Sequence, residues 1–317
     1  MPILRRTDWL EASQRHIQRV SSLLEAGRDA KGGLREDHPV FNFLRSYYFV
    51  RTANDIKKKL LRWSPGALAL LAPERYLPAK TISESLPGLD LEVVEDNAGL
   101  SFARVRMTKA SFDNLRFSQG VLEATTTNAP ILNCYGMHEW AMLYQEPNEE
   151  EPFATKFQSL PRRVSQGTIN ETVRSQKVNC SHFDAMRFFA PSAKPYSKFD
   201  GLTREGSFTS ENPACLHAQM DLLRHALKLG PLLSGDILVE CLEIALEARS
   251  FDVAASPYDA SQFGLESIPV ETSEGRALYK SRQIQLAQRA RPLRKALLDI
   301  IQTTLEVRDT DLAVSQM

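Results

Sequence analysis

Three short segments of this chain each place a cysteine shortly before a histidine. The pairs are Cys134 with His138, Cys180 with His182, and Cys215 with His217. The sequence has 4 cysteines and 6 histidines among 317 residues, so three pairings of this kind are uncommon by chance. Two interpretations remain open from the sequence: a mixed cysteine and histidine metal site, or small buried cysteines that pack beneath a histidine-lined pocket.

The segment after Cys215 has a helical spacing of polar residues. Four residues turn an α-helix by about 400°, so His217, Asp221 and His225 lie on one face. An imidazole and a carboxylate at this spacing can bind a divalent metal ion, or act as a base and the group that orients it. A salt bridge on the helix surface is the structural alternative.

The other two segments add further donors. His182 and Asp184 point to the same side of an extended chain, because side chains alternate along a strand. This pair supplies part of a two-histidine, one-carboxylate iron site. His138 is followed by Glu139 and Trp140, a group typical either of a pocket that stacks a flat ligand or of the edge of a core.

These residues predict an enzyme, namely a metal-assisted or acid–base hydrolase that acts on a small cyclic or nucleobase-type substrate. The predicted ligands of one divalent ion (Zn, Fe or Mn) are His138, His182, His217 and Asp221. The ion would lower the pKa of a bound water molecule. The predicted acid–base residues are Asp184, Glu139 and Asp221. Two alternatives remain: a non-haem iron oxygenase that uses His182, Asp184 and either His217 or His225, and a non-enzymatic ligand-binding or scaffold protein.

The elements that hold these residues are predicted to form a mainly α-helical α+β fold, with a helical core and a small central β-hairpin or sheet. Residues 1–317 form one predicted domain with a hinge near 146–152. Apolar periodicity and Pro, Gly and Ser signals predict helices over 8–26, 212–230, 234–249 and from 273 onward. Pro292 is expected to kink or divide the last of these helices.

The shorter predictions are local. Asp37 is expected to cap a helix that has Pro39 at an early position. Residues 91–94 and 100–105 flank a short Gly-containing loop and predict a hairpin. The Thr-rich residues 120–133 are expected to add a strand.

Two further predictions concern charged and titratable side chains. His16 lies between two arginines in the first helix and is predicted to be a surface histidine. Arg249, Asp252 and Asp259 lie at or beyond the end of a predicted helix and are expected to lie in turns, with ligand-clamping loops as the alternative.

Composition and missing motifs exclude several classes of protein. The chain has 39 Lys and Arg against 39 Asp and Glu, and this balance disfavours a dedicated nucleic-acid or membrane-surface binder. It has no apolar run long enough for a membrane span or a secretory signal, and with few cysteines it is expected to be a reduced cytoplasmic protein. The glycine and serine motifs of Rossmann units, P-loops and α/β-hydrolases are missing, as is the HExxH motif of zincins.

Several strings taken together resemble a known family. They are His38-Pro39-Val40-Phe41 with Tyr47-Tyr48, Leu61-Arg62-Trp63-Ser64-Pro65-Gly66, Gly136-Met137-His138-Glu139-Trp140, His182-Phe183-Asp184-Ala185-Met186-Arg187 and Ala255-Ser256-Pro257-Tyr258-Asp259. The chain resembles, over most of its length, a bacterial and plant family labelled 3-methyladenine DNA glycosylase. The resemblance implies cleavage of an N-glycosidic bond.

Excision of a base needs aromatic side chains that stack the unstacked ring and a carboxylate that stabilises positive charge on the sugar. The residues predicted to stack the ring are Tyr47, Tyr48, Tyr135 and Trp140. Asp184 or Asp221 would supply the carboxylate. Duplex DNA is the partner that the family label implies, but the neutral net charge favours a free nucleoside or other small cyclic substrate.

Overall fold

The computed structural model describes residues 1–72, 82, 85–96, 98–107, 109–147, 149, 160–204 and 206–315. The protein is 56% helical, with ten helices and a small four-stranded mixed sheet in the described part, which confirms the predicted mainly α-helical α+β class. The helices are α1 Arg6–Leu24, α2 Asn42–Tyr47, α3 Ala53–Lys59, α4 Lys109–Thr127, α5 Met137–Met142, α6 Gln166–Gln176, α7 Ser207–Ser210, α8 Leu216–Leu229, α9 Gly235–Ala255 and α10 Ser273–Ser315. None of these helices is long and apolar enough to cross a membrane.

The sheet lies at one side of the helical core. Its strands are β1 Ile3–Leu4, β2 Leu70–Leu71, β3 Leu91–Glu95 and β4 Ser101–Val105, in the spatial order β1-β2-β4-β3. β1 and β2 are parallel, and the other two pairings are antiparallel. The predicted hairpin is confirmed as β3 and β4, because Asp96 closes the connection by accepting hydrogen bonds from the backbone of Ala98 and Leu100.

Helices α8 and α9 form the centre of the core. α8 buries Leu216, Leu223 and Leu229 on one side, whereas α9 buries most of its residues and leaves Asp236, Glu240 and Glu247 exposed. α10 packs against α4, α8 and α9. The helical pair therefore provides the rigid base on which the candidate site is built.

The first helix joins this base through an unusually close contact. α1 packs on α9, and a Cβ atom at Gly235 would lie 2.4 Å from Trp63 Cδ1 and 2.9 Å from His16 Nδ1. Only glycine allows this approach. The prediction of a surface histidine at position 16 was wrong, because His16 is 1% exposed and bonds the backbone of Leu60 and Gly235.

Two predictions about elements were wrong. Residues 120–127 belong to α4 and not to a strand, and the hydroxyls of Thr125, Thr126 and Thr127 donate to backbone carbonyls one turn earlier. The second helix begins at Asn42, while Asp37 pairs with Arg35 at 2.6 Å and caps nothing.

Two further corrections concern the later helices. α9 continues to Ala255, so Arg249 and Asp252 lie in a helix and not in turns. α10 runs through Pro292 without dividing. Of the predicted hinge, residues 148 and 150–152 lie outside the described part of the chain.

Candidate functional site

The three histidines that follow cysteines meet in space. The ring centroids of His138 and His217 are 4.4 Å apart. The rings of His182 and His217 are stacked, with centroids 4.7 Å apart and an interplanar angle of 11°. Residues 35 to 79 positions apart in the sequence thus form one continuous row of imidazoles, with His217 in the middle.

The first of these histidines is positioned by an unusual turn. Tyr135 and Gly136 both have positive φ, at 50° and 64°, and α5 starts at the next residue, Met137. A left-handed conformation is costly for a residue with a Cβ and easy for glycine. A Cβ at Gly136 would lie 3.7 Å from Asp252 Oδ1, so this turn brings the chain directly against α9.

His138 is held by a buried ion-pair network. Its Nε2 lies 3.2 Å from Asp252 Oδ1, and Arg249 donates to Glu139 at 2.7 Å and to Asp252 at 2.8 Å. Burial opposes the charged form of His138, but the carboxylate of Asp252 outweighs this effect and raises the pKa of His138 well above its usual value. Burial would likewise raise the pKa of Asp252, but His138 and Arg249 lower it.

The other ring nitrogen of His138 is left without a hydrogen-bond partner among the described residues. This Nδ1 atom is fully buried and makes no well-aligned bond, although the Cys134 thiol lies close enough to affect the pKa of the ring. An unsatisfied buried polar atom costs about 1–3 kcal/mol, so such an atom in a native fold calls for a physical explanation.

The cysteines lie beneath the histidine row. Cys134, Cys180 and Cys215 are free and buried, and the thiol of Cys180 lies close enough to the other two to affect their pKa values. This contact with Cys180 lowers the pKa of Cys134 and of Cys215 to about 5. The pKa of Cys180 itself is raised well above the ordinary value because its thiol faces the other two.

The outer two imidazoles differ in charge from the central one. Burial and the neighbouring charge of His138 lower the pKa of His217 to about 4, and its Nδ1 lies 3.7 Å from Cys215 Sγ. Burial would also lower the pKa of His182, but Glu211, 3.4 Å from its Nδ1, and Asp221 raise it to about 9. These shifts favour the neutral form of His217 and the charged forms of His138 and His182.

Two groups of donor atoms in the described residues are compact enough to hold a metal ion. One comprises His138, Cys180 and His217, and the other comprises His138, Glu139 and Asp252; within each group the donor atoms lie within 4.8 Å of one another. His138 belongs to both groups. Of the predicted ligands, His182 and Asp221 belong to neither.

A cavity of about 770 Å³ opens over the histidine row. All three histidines line it, together with the predicted acid–base residues Glu139, Asp184 and Asp221 and the predicted stacking residues Tyr47 and Tyr48. The carboxylate of Asp184 is paired with Arg187 and that of Asp221 with Arg224, each at 3.1 Å. The cavity therefore combines aromatic walls with several titratable groups, as small-molecule sites commonly do.

Three other residues singled out in the sequence lie elsewhere. Trp140 is fully buried and donates from Nε1 to the carbonyl of Ala255 at 2.9 Å. Tyr135 packs edge-on against Tyr279, with ring centroids 5.8 Å apart. His225 is buried, with Nδ1 3.0 Å from Ser118 Oγ. None of the three is among the residues that line the cavity.

Sequence reasoning missed two residues that organise the site, Arg249 and Asp252. Their spacing of three along a helix was visible, as was the unusual position of a carboxylate between Phe251 and Val253. A charged residue inside an apolar helical stretch signals a buried partner.

No family model, curated protein or solved structure matches this chain in the comparisons.

Proposed function

We propose that this protein is a metal-assisted hydrolase whose ion is held by His138, Cys180 and His217. The observation that carries the proposal is the convergence of these three donors beside a cavity that His138 and His217 line, with Nδ1 of His138 buried and unpartnered. Asp252 bonds the other nitrogen of His138, and a carboxylate in that position commonly orients a ligating histidine. The thiol of Cys215 lies against Nδ1 of His217 in the same manner.

The second donor group is a poorer candidate. Its carboxylates, Glu139 and Asp252, already share the guanidinium of Arg249 at 2.7 and 2.8 Å. A divalent ion placed among them would be repelled by that cation. It would also draw the carboxylates away from Arg249, whose buried charge would then lack its partners.

The chemistry of the chosen donors favours zinc among the ions considered. Two imidazoles and one thiolate match the nitrogen and sulfur ligands that Zn²⁺ prefers, and catalytic zinc sites have three protein ligands and one open position. When bound, such an ion lowers the pKa of a water molecule and so makes a nucleophile available at neutral pH. His138 and His217 line the cavity, so the open position would face the substrate.

Asp221 is the residue best placed for proton transfer. It lies one helical turn after His217 on α8 and lines the same cavity. In the proposed reaction Asp221 accepts a proton from water, the water oxygen forms a bond to carbon, and the carbon–nitrogen bond breaks. Asp221 then returns the proton to the leaving nitrogen, so that no other reactant is needed.

The cavity supports a small cyclic or nucleobase-type substrate. Its volume of about 770 Å³ lies within the range of small-molecule sites. Phe43, Tyr47 and Phe188 contribute aromatic surface on which a flat ring can stack. The resemblance to 3-methyladenine DNA glycosylases points to an N-glycosidic bond as the bond that is cleaved.

Metal content measured by mass spectrometry on the purified, untagged protein tests the ligand set. After growth with added zinc, the wild type is expected to hold about one equivalent, and His217→Ala and Cys180→Ser about one tenth of that or less. Cys241→Ser is the matched control, because Cys241 is also a buried thiol but belongs to α9 and to neither donor group. A wild type without metal, or variants that keep it, would overturn the proposal.

The role of Asp221 has a separate test. Asp221→Asn is expected to retain the ion but to release free base from a panel of N-glycosides at least about 100-fold more slowly, because a general acid–base group contributes about 10²–10⁴-fold. Chromatography of the released bases measures this rate. An Asp221→Asn variant as active as the wild type would remove this residue from the mechanism.

A further inference from the structure

A second groove adjoins the cavity and is strongly cationic. Its lining includes Lys58, Lys59, Arg62, Arg224 and Lys228, and no Asp or Glu is among its lining residues in the described part of the chain. Because the chain as a whole has zero net charge, this is a local concentration of positive charge that composition conceals. Such a concentration attracts anions.

The groove lies next to the candidate active site. Tyr47, Tyr48 and Arg224 line both the groove and the cavity. Tyr47 is 43% exposed and the neighbouring Phe49 is 59% exposed, so two aromatic rings stand at the boundary. A molecule whose ring enters the cavity can therefore extend directly into the cationic groove.

Crowding of like charges marks one end of the groove. Lys228 lies over the ring of Phe117 at 4.7 Å, and Arg204 lies over the same ring at 4.5 Å. Burial, followed by the charges of Arg204 and Arg224, lowers the pKa of Lys228. Two cations thus share one aromatic ring, and a bound anion would reduce the repulsion between them.

The cations differ in how far the protein already uses them. Lys59 donates to the carbonyls of Tyr48 and Phe49, and Arg62 donates to that of Gly88. Lys58 and Lys228 form no ion pair in the described part of the chain. The N–H groups of these two ammonium ions are therefore available to donate hydrogen bonds to a ligand.

We propose that this groove binds the phosphate of a substrate whose ring occupies the cavity, so that the substrate is a nucleotide and not a bare base or nucleoside. The inference rests on the proposed function only for the reaction at the ring. Two lysines beside Arg224 suit a phosphate, because ammonium groups act as point charges toward its several oxygens. Free nucleotides and single-stranded oligonucleotides share this chemistry.

Calorimetric titration at low salt with adenosine and with adenosine monophosphate tests the groove. The wild type is expected to bind the monophosphate at least about ten-fold more tightly, since hydrogen bonds between charged groups are about twice as strong as neutral ones. Lys228→Glu should remove this difference. Lys31→Glu, which makes the same charge change at an exposed turn, should alter the affinity by less than about two-fold.

Three results would overturn the inference. The first is equal affinity of the wild type for the two compounds, or no binding of either. The second is an equal loss of affinity for the monophosphate in Lys228→Glu and in Lys31→Glu. The third is a phosphate preference that disappears in His217→Ala but survives in Lys228→Glu. The last result would mean that phosphate binds at the metal. A single-stranded pentanucleotide in a parallel titration identifies the source: tighter binding than the monophosphate supports an oligonucleotide, and equal or weaker binding supports a free nucleotide.

The two proposals fail separately. Loss of the phosphate preference with zinc still bound would leave the hydrolase in place and remove only the nucleotide. A wild type that binds the monophosphate preferentially but holds no zinc would remove the metal-assisted reaction and keep the groove.

Discussion

Two sets of buried histidines occupy this molecule, and they differ in what their ring nitrogens contact. His16 and His225 lie in the helical core, where their partners are backbone carbonyls and a serine hydroxyl. The site histidines instead face carboxylates, thiols and one another. Burial alone therefore does not distinguish a functional histidine, whereas the chemistry of the partners does.

The two sets also differ in charge. Burial lowers the pKa of both core histidines, and it lowers that of His225 to about 4. In the site, carboxylates raise the pKa of His138 and His182, while His217 between them stays neutral. The core thus tolerates histidine by keeping it uncharged, and the site holds opposite charges in a buried environment.

The largest expected effect comes from removing the carboxylate that supports the site. Asp252→Ala should lower the free energy of unfolding by about 3–5 kcal/mol, because it leaves the buried His138 without its carboxylate and Arg249 with Glu139 alone. Urea denaturation measures the loss. Asp299→Ala, which removes an exposed carboxylate paired with Lys295, should cost less than about 1 kcal/mol. Similar losses in the two variants would contradict the importance of the buried network.

The core set gives a pH-dependent effect. The pKa of His225 is lowered in the fold to about 4, so the unfolded chain binds more protons below pH 6.5 and stability falls as the pH drops from about 6.5 toward 4. Between pH 7 and pH 5 this histidine should account for about 2 kcal/mol of the loss. Urea denaturation of His225→Gln at the two pH values should show a loss smaller by that amount. An unchanged loss would mean that His225 is protonated in the fold.

A smaller effect separates the loss of stability caused by backbone strain from the loss of zinc affinity caused by displacement of His138. Gly136→Ala and Gly99→Ala both place a Cβ on left-handed backbone, at φ 64° and 74°. Each should lower stability by about 1–2 kcal/mol. Only Gly136→Ala should also weaken zinc binding, measured by competition with a chromophoric chelator, because that turn positions His138. Equal zinc affinities in both variants would contradict this role.

The smallest expected effect sharpens the ligand assignment. His182→Asn should change zinc affinity by less than about three-fold, whereas loss of a ligand or its orienting partner costs about 10–100-fold or more. The same chelator competition, with His217→Asn beside it, measures both. A His182→Asn variant as depleted as His217→Asn would return His182 to the ligand set.

Local sequence signals predicted much of the fold. The hairpin followed from a Gly-containing loop between two apolar stretches, and α8 and α9 followed from their Pro, Gly and Ser boundaries. The Thr-rich stretch failed because threonine can satisfy its hydroxyl within a helix, as Thr125 does through the carbonyl of Leu122. Packing of α4 against α8 and α10 then outweighed its weak helix propensity.

The site was predicted in part for a different reason. The repeated order of cysteine and histidine indicated that three segments share a task, and the structure brings those histidines together. Spacing could not show which nitrogen of His138 is left free, or that Cys180 and not Asp221 groups with His138 and His217. Both depend on how α5, α8 and the segment that carries Cys180 pack together. Asp252 was missed because its partners lie 114 residues earlier and 3 residues earlier in the chain.

The contact of α1 with α9 has a consequence for synthesis on the ribosome. His16 bonds Gly235, 219 residues later, so the buried face of α1 stays without its partner until α9 has emerged. At about 5–20 residues per second that interval lasts roughly 10–40 seconds, during which Val20 and Leu24 remain open to other nascent chains. The face of the first helix that packs on α9 is therefore not covered by α9 for most of the time that the chain takes to be made.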